Sequence, residues 1–226
     1  MNLLSKTTLL ALFVATVLLN SEVGAAPSKI GILVFDGFLT SDVTVPIEVF
    51  GAATKKEWFA GYEVVVISAT KNRQVVSEEG LKLVADMTIY DEVALEVFIV
   101  PSAYEMDVFL QDKNLLDYIE KQAQSAAWLA SNCSGAFLLA AAGVLDGKRA
   151  TTWAGGESGL QEAYPKIKVQ VDENVVVDEG VITSNGGAVS YQAAFALLGE
   201  LSTAERAKEI SASTQFNRLA RAFKTQ

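Results

Sequence analysis

The chain has one cysteine, Cys133, and no histidine among its 226 residues. In the segment Ala130-Ser131-Asn132-Cys133-Ser134-Gly135-Ala136 an apolar run of strand length gives way to a helix-forming stretch. A nucleophile at such an elbow stands at the end of a sheet with its sulfur over a helix N-terminus, whose positive end favours a thiolate. The absence of histidine excludes Ser-His-Asp and Cys-His triads and His-ligated metals. A proton partner for Cys133 is then a carboxylate, a hydroxyl or water, and nothing in the pattern calls for a metal or cofactor. A cysteine ending an apolar strand is ordinarily a small buried hydrophobe. The elbow context favours an accessible, perturbed thiol instead. Asp42 lies near a helix start, where an aspartate ordinarily caps backbone N–H groups.

The elements that must position these residues alternate. Residues 29–35 form a continuous apolar run that reads as a central strand and ends at Asp36-Gly37, a turn. Helical spacing follows over 43–53, with Pro46 in its first turns. Residues 62–68 and 97–100 read as further buried strands, and 74–77 with 81–84 as a small hairpin whose Glu78-Glu79 turn is solvated. Residues 107–123 predict one amphipathic helix, and 136–145 the helix after Cys133. A short strand over 149–153 and a helix over 156–164 come next. Residues 175–184 read as a hairpin turning at Glu179-Gly180, followed by helices over 188–201 and 204–211 and a weakly amphipathic tail over 216–223. This order predicts an α/β three-layer sandwich, a mainly parallel sheet with helices on both faces. Sites in such sheets lie beyond the carboxyl ends of strands, where 36–42, 101–105 and Cys133 fall.

Half of the residues are hydrophobic, enough for one sizeable core, and the net charge is −9. An acidic chain without basic runs is a poor partner for nucleic acid or anionic membrane. Residues 1–25 read as a secretory signal: Lys6, an apolar stretch over 7–19, and small residues at Val23-Gly24-Ala25, with a mature start at Ala26. The stretch is short for a membrane span, which needs roughly 20 residues. The expectation is a periplasmic or secreted protein, residues 26–226 forming one domain, with no stable membrane insertion after cleavage. The mature chain keeps the −9 balance, since Lys6 and Glu22 leave together. A lone cysteine in an oxidising compartment has no partner within its chain.

Several motifs together resemble the ThiJ/PfpI superfamily, whose members share the class I glutamine-amidotransferase-like, flavodoxin-like fold. They are Phe35-Asp36-Gly37 with Asp42-Val43-Thr44-Val45-Pro46, Asn132-Cys133-Ser134-Gly135-Ala136, Ala150-Thr151-Thr152-Trp153, and Thr183-Ser184-Asn185-Gly186-Gly187. The resemblance spans about residues 28–202. It is similar above all to the isonitrile hydratase branch and the sensor domains of AraC-type regulators, which carry aspartate at the position of Asp42. It implies Cys133 as nucleophile and Asp42 as the carboxylate that holds a hydrogen bond to a thiolate and later delivers a proton. It implies backbone N–H groups of Ala103 and Ser134 as oxyanion donors, a small electrophilic molecule as substrate, and a homodimer. In an isonitrile hydratase the thiolate attacks the terminal carbon and water releases an N-substituted formamide. A non-catalytic small-molecule-binding or redox-sensing member of the same family is the alternative, and the export signal argues against direct transcriptional regulation. The chain departs from the family pattern at Ser102-Ala103, where two glycines are usual, at Val45, a usual glycine, and at Trp153, where many relatives have histidine. The departures predict a tighter, more apolar pocket flanked by Trp153, Tyr104 and Val45.

Overall fold

A computed structural model describes residues 26–222; residues 1–25, on which the expected secretory signal falls, and the end of the tail lie outside the described residues. The strands are β1 (Ser28–Val34), β2 (Tyr62–Ser68), β3 (Gln74–Val76), β4 (Lys82–Val84), β5 (Met87–Thr88), β6 (Val97–Val100), β7 (Trp128–Asn132), β8 (Arg149–Ala150), β9 (Lys168–Val169), β10 (Val175–Asp178) and β11 (Val181–Ser184). The helices are α1 (Thr40–Ala53), α2 (Asp107–Leu110), α3 (Lys113–Ala123), α4 (Gly135–Ala141), α5 (Glu157–Ala163), α6 (Ser190–Leu201), α7 (Ala204–Ser213) and α8 (Phe216–Ala222). Seven strands form one sheet in the order β10-β11-β7-β6-β1-β2-β5, parallel throughout except where β10 runs against β11.

The sheet sits where the sequence puts its apolar runs. Ile32 to Val34 of β1 and all four residues of β6 are buried, as strands covered on both faces must be. From β1 the chain crosses through α1 to β2 on one side; from β6 it crosses through α3 to β7 on the other. Right-handed crossovers in opposite directions put their helices on opposite faces. Accordingly α1, α6 and α7 pack with one another, and α2, α3 and α4 with one another. The strand order reverses between β1 and β6, so the loops after these strands diverge and leave a crevice at their carboxyl ends. No helix among the described residues is long and apolar enough to cross a membrane.

Element boundaries differ from the sequence reading at four places, each with a local cause. Helix α1 starts at Thr40 rather than Val43, because the Glu79 carboxylate accepts the Thr40 N–H at 3.0 Å and its hydroxyl. Glu79 remains a solvated turn residue, as the sequence suggests, and from there it also caps α1, the Thr40 hydroxyl bond holding its carboxyl below the usual range. The helix over 107–123 is broken into α2 and α3 by Asp112, whose side chain accepts from Asn114 N and Leu115 N and so starts a new helix. Helix α4 stops at Ala141 in a Schellman closure, Val144 N to Leu139 O and Gly143 N to Ala140 O. The strand over 149–153 is only Arg149–Ala150, since Trp153 turns out of line toward the crevice.

Candidate active site

Cys133 follows the last residue of β7 and has φ 50°, a left-handed conformation costly for a non-glycine residue. Both of its backbone polar groups are held: its N–H donates to Ser184 O at 2.8 Å, and its carbonyl accepts the Thr152 hydroxyl at 2.9 Å. Gly135 opens α4 directly behind it. A Cβ there would lie 2.6 Å from Val100 O and 2.7 Å from Pro101 O, so only glycine lets the helix start this close to β6. The side chain of Cys133 is half-buried and forms part of a cavity wall.

Asp42 is fully buried in α1 and caps nothing. Its Oδ2 accepts the Ser102 hydroxyl and the Ser102 N–H at 3.3 Å; its Oδ1 accepts Gly187 N–H at 3.0 Å and the Ser190 hydroxyl at 3.1 Å. This is a site built for a carboxylate, drawn from the loop after β6 and the loop after β11. A second constraint fixes the helix itself. Pro46 has no N–H to give the Asp42 carbonyl four residues back. Asn132 Nδ2, next to Cys133, donates to that carbonyl at 3.0 Å, while Asn132 Oδ1 accepts the Ser184 hydroxyl at 2.7 Å.

Gly186 shows how close the two groups stand. A Cβ built on it, at φ 77°, would lie 2.5 Å from Cys133 Cβ and 2.9 Å from Asp42 Oδ1. Burial pushes the Asp42 carboxyl up from the usual range, and the hydrogen bonds from Ser102, Gly187 and Ser190 oppose it only in part. Burial and the Asp42 charge likewise push the Cys133 thiol up, against hydrogen bonds from Ser102 and Ser134. The sequence reading expects a thiolate held by the helix end. Burial and the neighbouring carboxylate work against that expectation, since both favour the protonated sulfur. Among the described residues, the donors to the Asp42 carboxylate are Ser102, Gly187 and Ser190.

The cavity at Cys133 has a volume of about 530 Å³. Leu39, Met106, Leu110, Phe137 and Trp153 give it apolar walls, with Glu105 and Asp107 beside them. Trp153 stacks on Phe137 with ring centroids 5.4 Å apart. Tyr104 also lines the cavity and is exposed. Val45 does not line it: this residue is buried in the core of α1 and is corrected from a pocket residue to a packing residue. Phe137, Met106 and Leu110 were missed in the sequence. Phe137 lies in the first turn of α4, close after Cys133 in the chain. The oxyanion donors fare unequally. Ser134 N–H reaches the sulfur, whereas Ala103 N–H is directed at the Met106 sulfur at 3.3 Å.

Residues 28–200 match the model of the DJ-1/PfpI family. The chain is 29% identical over 190 residues to an isonitrile hydratase from Pseudomonas putida, covering 83% of this chain and 78% of that one. It is 25% identical over 187 residues to the HTH-type transcriptional regulator GbdR from Pseudomonas aeruginosa, covering 83% of this chain and about half, 49%, of the regulator. A solved ThiJ/PfpI family protein from Pseudomonas syringae shares the fold with a TM-score of 0.74 at 23% identity, covering 84% of this chain and 75% of that one.

Proposed function

The chain belongs to the DJ-1/PfpI family, and from that premise we propose that it is a cysteine-dependent hydratase for small, apolar, electrophilic molecules, isonitriles foremost. The observation that carries the reading is the pairing of a half-buried sulfur, which lines a largely apolar cavity, with a fully buried carboxylate behind it. An isonitrile is neutral and compact, with an electrophilic terminal carbon, and suits such walls. Cys133 sulfur bonds to that carbon as the thiol proton passes to Asp42. The carbon then takes the proton back, giving a thioimidate on Cys133. Water adds to the thioimidate carbon and the nitrogen takes a proton. The carbon–sulfur bond breaks, releasing the N-substituted formamide and regenerating the cysteine. In this proposal the leader over 1–25 directs the enzyme to the periplasm or beyond the cell, where it works as a homodimer.

The test is formamide production from a panel of alkyl and aryl isonitriles. The Cys133→Ala protein should make none, and Asp42→Asn should lose about a hundredfold or more in kcat, as expected for lost general acid–base help. Normal turnover by Cys133→Ala would sink the mechanism. One observation favours a second reading. The engagement of Ala103 N–H with Met106 leaves one fewer donor for a developing anion, which suits a protein that binds a small molecule or senses oxidants without turning it over. That reading expects saturable binding, or sulfenic acid at Cys133 under mild peroxide, with no formamide from any isonitrile.

A further inference from the structure

We propose that Met106 is a specificity-determining residue: its thioether caps the Ala103 N–H in the free site, and an electrophile reacts readily at Cys133 when it brings a stronger acceptor that takes this N–H over. The inference deepens the reading above and rests on Cys133 as its nucleophile, but not on isonitriles as the substrate. Ala103, Met106, Cys133 and Ser134 line one cavity, and the Ala103 N–H donates to the Met106 sulfur at 3.3 Å.

The N–H is fixed and its acceptor is not. Ala103 is buried, and the peptide unit that carries its N–H is planar, so holding the Ser102 carbonyl on one edge aims the N–H on the other. Leu39 N–H holds that carbonyl at 2.9 Å, and the Ser134 hydroxyl holds the Ala103 carbonyl at 3.0 Å. The Met106 backbone is held as well, its carbonyl accepting Phe109 N–H and Leu110 N–H at 3.0 Å each. What is left to move is the Met106 side chain, which is half-buried, unbranched and adaptable. A thioether is a weak acceptor, whereas an oxygen that gains negative charge is a strong one. The sulfur therefore satisfies a buried donor in the free site and yields it to a charged oxygen. An apolar group offers the N–H nothing in exchange, and leaving a buried donor unpaired is costly. The donor that Met106 occupies is thus withheld rather than lost.

Two reagents that meet the same sulfur test this, because Cys133 is the only cysteine in the sequence. Iodoacetamide forms its sulfur–carbon bond as iodide leaves, and no oxyanion develops. With p-nitrophenyl acetate the sulfur bonds to the carbonyl carbon, and the carbonyl oxygen takes the electron pair as an oxyanion. The carbonyl then re-forms as p-nitrophenolate leaves, the thiol proton goes to the buffer, and an acetyl thioester stays on Cys133. The ratio of acetylation rate to alkylation rate cancels access to the sulfur and its protonation. It is measured on the wild type, Met106→Leu and Met106→Gln, with Cys133→Ala as the blank. Leucine keeps the apolar wall without the sulfur and should raise the ratio about two- to tenfold, the equivalent of one hydrogen bond. Glutamine puts an amide oxygen, a better acceptor than a thioether, on a side chain of similar length and should lower the ratio below that of the wild type. If one variant fails to fold, the direction of the other still decides. A ratio that stays flat, or that moves the same way in both variants, would overturn the cap and leave Met106 as cavity wall. A wild type with no Cys133-dependent acetylation would overturn it too, since an oxyanion then never reaches the N–H. Opposite shifts without any isonitrile turnover would reject the hydratase and keep the cap, and turnover with a flat ratio would do the reverse.

Discussion

Asp42 is the residue on which the site's energetics turn. Four hydrogen bonds prepare its pocket for a negative charge, yet burial outweighs them and the carboxyl titrates above its ordinary range. The folded chain therefore binds this proton more tightly than the unfolded chain does. Between the ordinary aspartate value, about 3.9, and the raised one, the folded state holds more protons, so stability is fully present below the window and falls as pH rises through it. Thermal melts from pH 4 to 8 should show the Tm of the wild type dropping relative to Asp42→Asn across this range; a gap that does not change with pH would contradict the assignment. Cys133 is strained in another way. Its left-handed backbone costs about 1–3 kcal/mol, and two backbone hydrogen bonds worth about 0.5–1.5 kcal/mol each are of the right size to offset it. Cys133 and Asp42 were legible in the sequence, and so were Tyr104 and Trp153 at the cavity. Val45 misled, because three helical positions bring it to the side of Asp42, and that side faces the core. The hydroxyl of Ser102 was read only as a lost glycine, since its partner lies sixty residues away.

At the scale of elements, the join between α1 and β7 depends on a deliberate mismatch. Pro46 frees the Asp42 carbonyl and Asn132 takes it up, so the helix bearing the carboxylate is pinned to the strand that leads into Cys133. Asn132→Ala should leave that buried carbonyl unpaired and cost about 1–3 kcal/mol. Adding Pro46→Ala restores an N–H four residues on, and denaturant unfolding should then show a smaller penalty for Asn132→Ala than in the parent. An equal penalty in both backgrounds would mean the bond does not carry the join. The order of strands and helices was legible because long apolar runs and period changes are local signals. Boundaries set from a distance were not. Glu79 starts α1 from another loop, and no local pattern around Thr40 announces it. Asp112 is the exception: an aspartate before a helical run is a readable start, and it divides what periodicity joined.

Considered whole, the molecule is acidic, and its cavity repeats that bias. Glu105 and Asp107 flank the apolar walls, and among the described residues no Lys or Arg lines them. The net charge of −9 adds a repulsive field for anions. On the proposed hydratase reading, carboxylate-bearing isonitriles should be turned over with lower kcat/KM than neutral ones of equal size, and the difference should shrink as salt is raised toward a Debye length of about 3 Å at 1 M. Equal kcat/KM at low salt would show that the field does not reach the reacting carbon. The layered architecture was legible from the alternation of elements, but the walls of the cavity were not, because Leu39, Met106 and Phe137 come from three separate segments. The same dispersal has a consequence for the life of the chain. The bonds that define the Asp42 pocket join residues 60, 145 and 148 positions apart, and contacts so distant in sequence close late in folding. A chain still emerging, or truncated before Gly187 and Ser190, carries an ordinary aspartate and an ordinary thiol. The raised proton affinities of the aspartate and the thiol are thus properties of the completed fold, acquired only once the chain beyond Gly187 and Ser190 has closed over them.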